Sequence, residues 1–405
     1  MKPPCRLRRA MASESSEGTD LETLDVTYIG FLLGHGGDAL QMLELAKGVH
    51  ATGGDVRIVV PEVESSRTLK ERCDVLGIEC ERSNLITASL EGARQRPTRV
   101  VKLLHRAQSP IVHFHTGNSC LPRSVIAALE LLRYRPSIVT LQSPYETITP
   151  GSLRARLWAR TARRRIAAVV SPSDHGTQFQ RRCGVPDDIA VTVRNSVDVA
   201  AMAGGNAQGA RKALGLGPDD PIVLFCSRID TQKRPLDAVR IFAAVADRFP
   251  SAVLVFVGRG DLERAVADEA ARFGLGDRVR LAGYQTNVPD WLAAAAVWLL
   301  PTERENFSVA VLEALAAGCA VVSTRCPGND EVLVDGVNAL TFPVGDVAAG
   351  ASALTTLLQD DGLRTRLQAS SRETAQNYTA ANMVDGYRRI YERVSARRRP
   401  PTGRS

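Results

Sequence analysis

The sequence, 405 residues long, has no apolar run approaching the ~20 residues that cross a bilayer. Its opening residues, Met1 to Thr23, begin with the basic Arg6-Leu7-Arg8-Arg9 and continue into Ser, Glu and Gly without an apolar h-region. Residues 1–23 therefore read as a disordered extension rather than a signal peptide, and the chain as cytoplasmic. The eight cysteines (Cys5, Cys73, Cys80, Cys120, Cys183, Cys226, Cys319, Cys326) form no Cys-x-x-Cys pair, and several fall inside predicted strands. Buried free thiols are the expectation, not metal ligands or disulfides. No Asp-x-Asp occurs. Lysine is scarce, at six residues, so the net charge of +7 rests on arginine. That balance favours anionic partners, but charge alone does not choose among nucleotide sugars, anionic lipid and nucleic acid.

What is present is organised around Pro301-Thr302-Glu303-Arg304-Glu305-Asn306-Phe307-Ser308 and the helical run that follows to Gly318. It lies between two apolar runs, Val297–Leu300 and Cys319–Ser323, which read as buried strands, so the segment is one βαβ unit with an acidic loop. Loop and helix start fall at the carboxyl end of the first strand, where open parallel sheets bind ligands. Glu313 would lie about 7 to 8 Å further along the axis from a helix start near Ser308, roughly the reach of a diphosphate. Free N–H groups at Asn306, Phe307 and Ser308, with the positive end of the helix dipole, suit phosphate. Glu305 and Glu313 could then take hydroxyls on either side of it, which suggests sugar, diphosphate and ribose. The plainer reading makes both glutamates solvated surface charges.

Glu305-Asn306-Phe307 with Glu313 resembles the Glu-x7-Glu signature of retaining glycosyltransferases of family 4, which have the two-domain GT-B fold. The family form is commonly Glu-Gly-Phe; Asn306 stands where Gly is usual. Ser227-Arg228-Ile229-Asp230-Thr231-Gln232-Lys233 resembles the family's Gly-Arg-x4-Lys, which implies that Arg228 and Lys233 hold the donor diphosphate. Val193-Arg194-Asn195-Ser196-Val197-Asp198 resembles the Asn-Gly-Val-Asp that closes the first domain. Turns at Val257-Gly258-Arg259-Gly260, Pro327-Gly328-Asn329-Asp330-Glu331 and Asp335-Gly336-Val337-Asn338 also fall where the family has glycine turns.

Along the chain, Leu24–Leu33 reads as a first strand running into Gly34-His35-Gly36-Gly37-Asp38 and a helix. Glycines there let phosphate approach the backbone. In the resemblance, Gly36 and Gly37 form the turn facing donor diphosphate and acceptor. Gly34-x-Gly36-x-x-Ala39 also fits the dinucleotide fingerprint weakly, which leaves an NAD-type oxidoreductase as a rival. Ile111-Val112-His113-Phe114-His115 puts two histidines on one face, with no third metal ligand at a recognisable spacing; the family element it resembles lines the cleft. Gln142, after the strand starting at Ser137, replaces a histidine the family commonly sets against the donor sugar. Gly151–Arg165 holds six arginines and no acid, with Leu153, Leu157 and Trp158 interleaved, a pattern suited either to an anionic membrane surface or to the solvent face of a helix.

The expected fold class is α/β: GT-B, with two doubly wound Rossmann-like domains about a central cleft. The division runs 24–198 for an N-terminal acceptor-side domain, 199–220 for a Gly/Ala-rich linker and 221–377 for a C-terminal nucleotide-sugar domain. A helix over 378–395 crosses back to the first domain, and a disordered basic tail occupies 396–405. The resemblance implies a metal-independent retaining transferase with Glu305, Arg228 and Lys233 in the chemistry. Gly36, Gly37, Gln142, Asn306, Phe307, Ser308 and Glu313 would bind the donor. No cofactor is expected; the co-substrate is a nucleotide-diphosphate sugar, UDP-sugar before GDP-sugar. The acceptor would be a small molecule, lipid or polysaccharide, with no nucleic acid as partner, and 151–165 is the candidate membrane contact on the cytoplasmic face. A non-catalytic sugar-nucleotide binder would share every donor-site residue.

Overall fold

The structure, a computed structural model, describes residues 24–31, 36–86, 96–107, 109–132, 137–143 and 148–396. The expected extension 1–23, the tail beyond Ala396, Gly34, His35 and the loop residues Pro144 to Glu146 lie outside the described residues.

Two parallel sheets account for the chain, as expected for the GT-B class. The first contains β1 (Val26–Phe31), β2 (Val56–Pro61), β3 (Glu79–Ser83), β4 (Ile111–Thr116), β5 (Ser137–Leu141), β6 (Ile166–Ser171) and β7 (Ala190–Thr192) in the order β3-β2-β1-β4-β5-β6-β7. In the second, β8 (Ile222–Cys226), β9 (Val253–Val257), β10 (Val279–Gly283), β11 (Val297–Leu300), β12 (Val321–Arg325) and β13 (Ala339–Pro343) run β10-β9-β8-β11-β12-β13. Strand order reverses between β1 and β4 in one and between β8 and β11 in the other. These two crevices are the topological switch points where such sheets take ligands.

The strands are near-continuous Val/Ile/Leu/Phe runs because helices cover both faces of each sheet. Along β1, Ile29 and Phe31 pack on one face with Phe114 and Trp158, while Tyr28 points to the other with Met42 and Tyr391. Each such large side chain removed from water contributes about 1.5–3 kcal/mol. The second domain has one continuous core through Phe225, Phe256, Trp298 and Leu312.

Two segments shape the boundary between the halves. The stretch 199–220, read as the linker, carries two short helices, Val199–Ala203 and Ala207–Leu214. Alanine is the best helix former, Asp198 and Asn206 cap the two starts, and Ala210 is buried against the second domain. The helix Ala380–Ala396 buries Met383, Tyr387, Ile390, Tyr391 and Val394 against the first domain. Tyr391 Oη meets Tyr28 Oη at 3.0 Å and His113 Nδ1 at 2.8 Å, while Tyr387 Oη meets Thr140 Oγ1 at 2.8 Å.

Candidate active site

The loops after β8 and β11 meet in one cleft with the helix start that follows β1. After β8, residues 227–233 close in a short 3₁₀ turn, Thr231–Lys233, whose start is capped by Asp230 Oδ1 accepting from Lys233 N at 3.1 Å. After β11, residues 301–308 lead into the helix Val309–Ala317, which ends at Gly318 in the left-handed conformation, φ 74°. The two loops are tied together: Glu303 N donates to Gln232 O at 2.8 Å, and Gln232 Nε2 donates to Arg304 O at 2.9 Å. Gly328 supports the acidic loop from behind. With φ 88°, a Cβ there would stand 2.5 Å from Asn306 O and 2.6 Å from Glu305 O, so only glycine fits.

Within this frame Lys233 Nζ donates to Glu305 Oε1 at 2.5 Å, both side chains being buried. The N–H groups from Asn306 to Val311 donate to no acceptor among the described residues. They form a run of backbone donors at a helix start, suited to an anion. Glu313 sits one turn deeper, beside Cys226 at the end of β8, and burial pushes its carboxyl up to about 7. Arg228 is mostly exposed and pairs with Asp230 at 3.1 Å.

The first domain brings its own helix start to the same place. Gly36 precedes the helix Gly37–Ala51, and a Cβ on Gly37 would lie 3.1 Å from the Val309 side chain, so the two helix starts meet across the cleft. Asp38 accepts from Ala39 N at 2.9 Å; burial raises its carboxyl, opposed by that hydrogen bond and by the charge of Arg228. Gln142 contributes its carbonyl, which accepts from Asn306 Nδ2 at 2.9 Å. Asn306 Oδ1 in turn accepts from Ser173 Oγ at 2.5 Å. The residue standing where the family commonly has glycine therefore joins the two domains.

Further bridges escaped the sequence reading. Asn195 Nδ2 donates to Phe307 O at 2.9 Å, and the guanidinium of Arg194 lies 5.2 Å from the Phe307 ring centroid. Glu331 accepts from the N–H groups of Asp174 at 2.9 Å and His175 at 2.8 Å, capping the helix Asp174–Arg182 from the opposite domain, and also binds Arg194. The strand end 193–198 and the turn at Gly328 were the only sequence signals for these contacts.

One expectation is corrected. His113 does not open on the cleft: it is enclosed between the first sheet and the helix Ala380–Ala396, and His115 is buried beside it with the ring centroids 4.1 Å apart. His113 Nε2 bonds Thr140 Oγ1 at 2.8 Å, and burial holds His113 well below the usual imidazole range and His115 down to about 3. They are neutral core groups, His113 stitching three elements together, because the face of β4 they share is covered by a helix more than 250 residues away in sequence, His113 and Tyr391 being 278 apart.

Comparison with known proteins agrees with this architecture in both halves. Residues 35–201 match the model for Glycosyltransferase Family 4, and residues 207–374 that for Glycosyl transferases group 1. The chain is 26% identical over 370 residues to phosphatidyl-myo-inositol mannosyltransferase of Mycobacterium leprae, covering 89% of this chain and 94% of that one. It is 32% identical over 198 residues to D-inositol 3-phosphate glycosyltransferase of Xylanimonas cellulosilytica, a match spanning 46% of each. Among solved structures, Anabaena HepE in complex with UDP-glucose superposes with a TM-score of 0.75 at 19% identity, over 92% of this chain and 99% of that one. Sucrose-phosphate synthase of Thermosynechococcus elongatus gives the same TM-score and identity, over 92% and 100%. With a family model on each half and the two switch points facing one another, the chain belongs to the family 4 glycosyltransferases of GT-B fold.

Proposed function

We propose that the protein transfers a sugar, with retention of anomeric configuration, from a nucleotide-diphosphate sugar to an acceptor hydroxyl, with UDP-sugar as donor. The observation that carries this is the run of unused N–H groups from Asn306 to Val311, set between Glu313 and a Glu305 that holds Lys233. The diphosphate sits on these donors, with Arg228 and Lys233 on its other side, so that charge developing on the leaving group is met by fixed dipoles and cations. Glu305 accepts from donor-sugar hydroxyls and Glu313 from the ribose.

The bond between the anomeric carbon and the diphosphate oxygen breaks while the acceptor oxygen attacks from the same face. The acceptor proton passes to the departing phosphate oxygen, and no metal takes part. This use of Arg228, Lys233 and backbone N–H groups fits a sequence without Asp-x-Asp. Gly36 and Gly37 face the donor diphosphate from the first domain, and Gln142 faces the donor sugar.

The test is the melting temperature with UDP, GDP, ADP and dTDP in turn, followed by NAD and NADP. A ligand at about 100 times its dissociation constant adds roughly 2.7 kcal/mol, several degrees for domains of this size. A shift with UDP is expected. A shift confined to another nucleoside diphosphate would overturn the base, and one confined to NAD or NADP the whole reading.

A further inference from the structure

The helix Leu153–Arg165 follows the carboxyl end of β5 and leads into β6. It lies on the outside of the first domain, with its first turn toward the edge that bears the cleft. Ala155, Trp158, Thr161 and Ala162 face the core, and Trp158 Nε1 donates to Gln180 Oε1 at 2.9 Å. That leaves Leu153, Arg156, Leu157, Arg160, Arg163 and Arg164 on one continuous outer stripe at helical spacing.

Three features of the stripe are unusual for a solvated face. Leu153 is 73% exposed and Leu157 51% exposed, at the cleft end. None of Arg156, Arg160, Arg163 and Arg164 has an ion pair among the described residues; Glu130, on the neighbouring helix Arg123–Leu132, pairs instead with Arg165 at the flank. The four unpaired arginines also line a shallow depression of about 460 Å³ with Ala159, Cys183 and Gly184.

We propose that this face docks on an anionic lipid surface. Arginines along a depression bind lipid phosphates, while two leucines beside them enter the apolar boundary just below the headgroups. A nucleic acid would satisfy the arginines but would give the exposed leucines nothing to bury in, which is why the lipid surface is favoured. The net charge of +7 adds general attraction to such a surface. Given the transferase reading above, the acceptor hydroxyl belongs to a molecule held at the lipid–water interface, delivered to the cleft beside Leu153.

The experiment is co-sedimentation of the full chain with vesicles of phosphatidylcholine alone and of phosphatidylcholine mixed with phosphatidylglycerol. Binding to the mixed vesicles only, lost in high salt, is expected. Reversing three charges in the triple variant Arg156→Glu, Arg160→Glu, Arg163→Glu should weaken it by roughly 100-fold or more, at about tenfold or less per arginine removed or reversed. Leu153→Asn with Leu157→Asn should weaken it several-fold; all these side chains are on the surface, so both variants should melt with the wild type. A wild type that stays in the supernatant overturns the proposal, as does either variant sedimenting like the wild type, or a single-stranded RNA bound equally well by wild type and leucine variant. The UDP-induced melting shift, measured on the same preparations, reports on the donor site separately, so failure of docking and failure of the transferase reading are distinguishable.

Discussion

Lys233 Nζ lies 2.5 Å from Glu305 Oε1, and both side chains are almost wholly enclosed. The cation assigned to the diphosphate and the carboxylate assigned to the sugar thus hold one another. In the proposed reaction a nucleotide sugar would exchange this ion pair for two contacts with itself. Glu305→Ala should lower the rate roughly 30- to 1000-fold, the equivalent of about 2 to 4 kcal/mol of transition-state binding. Steady-state kinetics check this, and activity within a few-fold of wild type would remove Glu305 from the chemistry.

The same pair makes a stability prediction. Lys233→Ala or Glu305→Ala alone breaks a buried ion pair by removing one member and should cost about 3–5 kcal/mol in urea unfolding. The double variant should recover a substantial part of that loss. Strict additivity of the two single costs would mean that the pair does not couple.

Glu331 caps a helix of the first domain from the second and binds Arg194. Glu331→Ala should lose a cap worth about 0.5–2 kcal/mol together with a charged contact, and should populate a more open arrangement of the domains. Small-angle scattering should report a larger radius of gyration than wild type, with weaker nucleotide binding; an unchanged scattering profile would show the cap to be dispensable for closure.

Asn306 bridges Gln142 O, Leu141 O and Ser173 Oγ. Asn306→Gly, the residue common in the family, should remove these links at a cost of about 0.5–1.5 kcal/mol for each net hydrogen bond lost. The expected kinetic signature is a changed KM with the Glu305-dependent step intact. A variant that melts with the wild type and has its KM would place the bridge outside the catalytic cycle.

The architecture was legible because parallel strands covered on both faces read as unbroken apolar runs, and because the loops after β8 and β11 carry their charges at fixed distances from glycine turns. What joins the halves was not. Ser173 and Asn306 are 133 residues apart and Arg194 and Glu331 are 137 apart, and no local period marks such partners. His113 misled for the same reason: one of the two hydroxyls that satisfy it, Tyr391 Oη, arrives from a distant helix. Nor did composition mark Ala210, within the linker stretch, as a residue that packs on the second core.

Burial raises Glu313 from the ordinary carboxyl range to about 7. Its folded pKa exceeds its unfolded one, so the stability this group contributes is greatest below about pH 4.5 and falls as pH rises through about 7. Glu313→Gln should flatten that fall in urea unfolding series between these limits. If the carboxylate form binds the ribose, UDP affinity should rise with pH across 7 in the wild type and not in Glu313→Gln; calorimetry in buffers of different ionisation enthalpy would detect the released proton.

The contact between Tyr28 and Tyr391 spans 363 residues. During synthesis the first sheet therefore emerges with the Tyr28, His113 and Thr140 face uncovered, and stays so while the entire second domain is made. The core of the second domain is drawn from residues 197–375, whereas that of the first is complete only with Met383 to Val394. A nascent chain halted before that helix should expose this face to chaperones, and release of the helix from the ribosome becomes the step that seals the molecule.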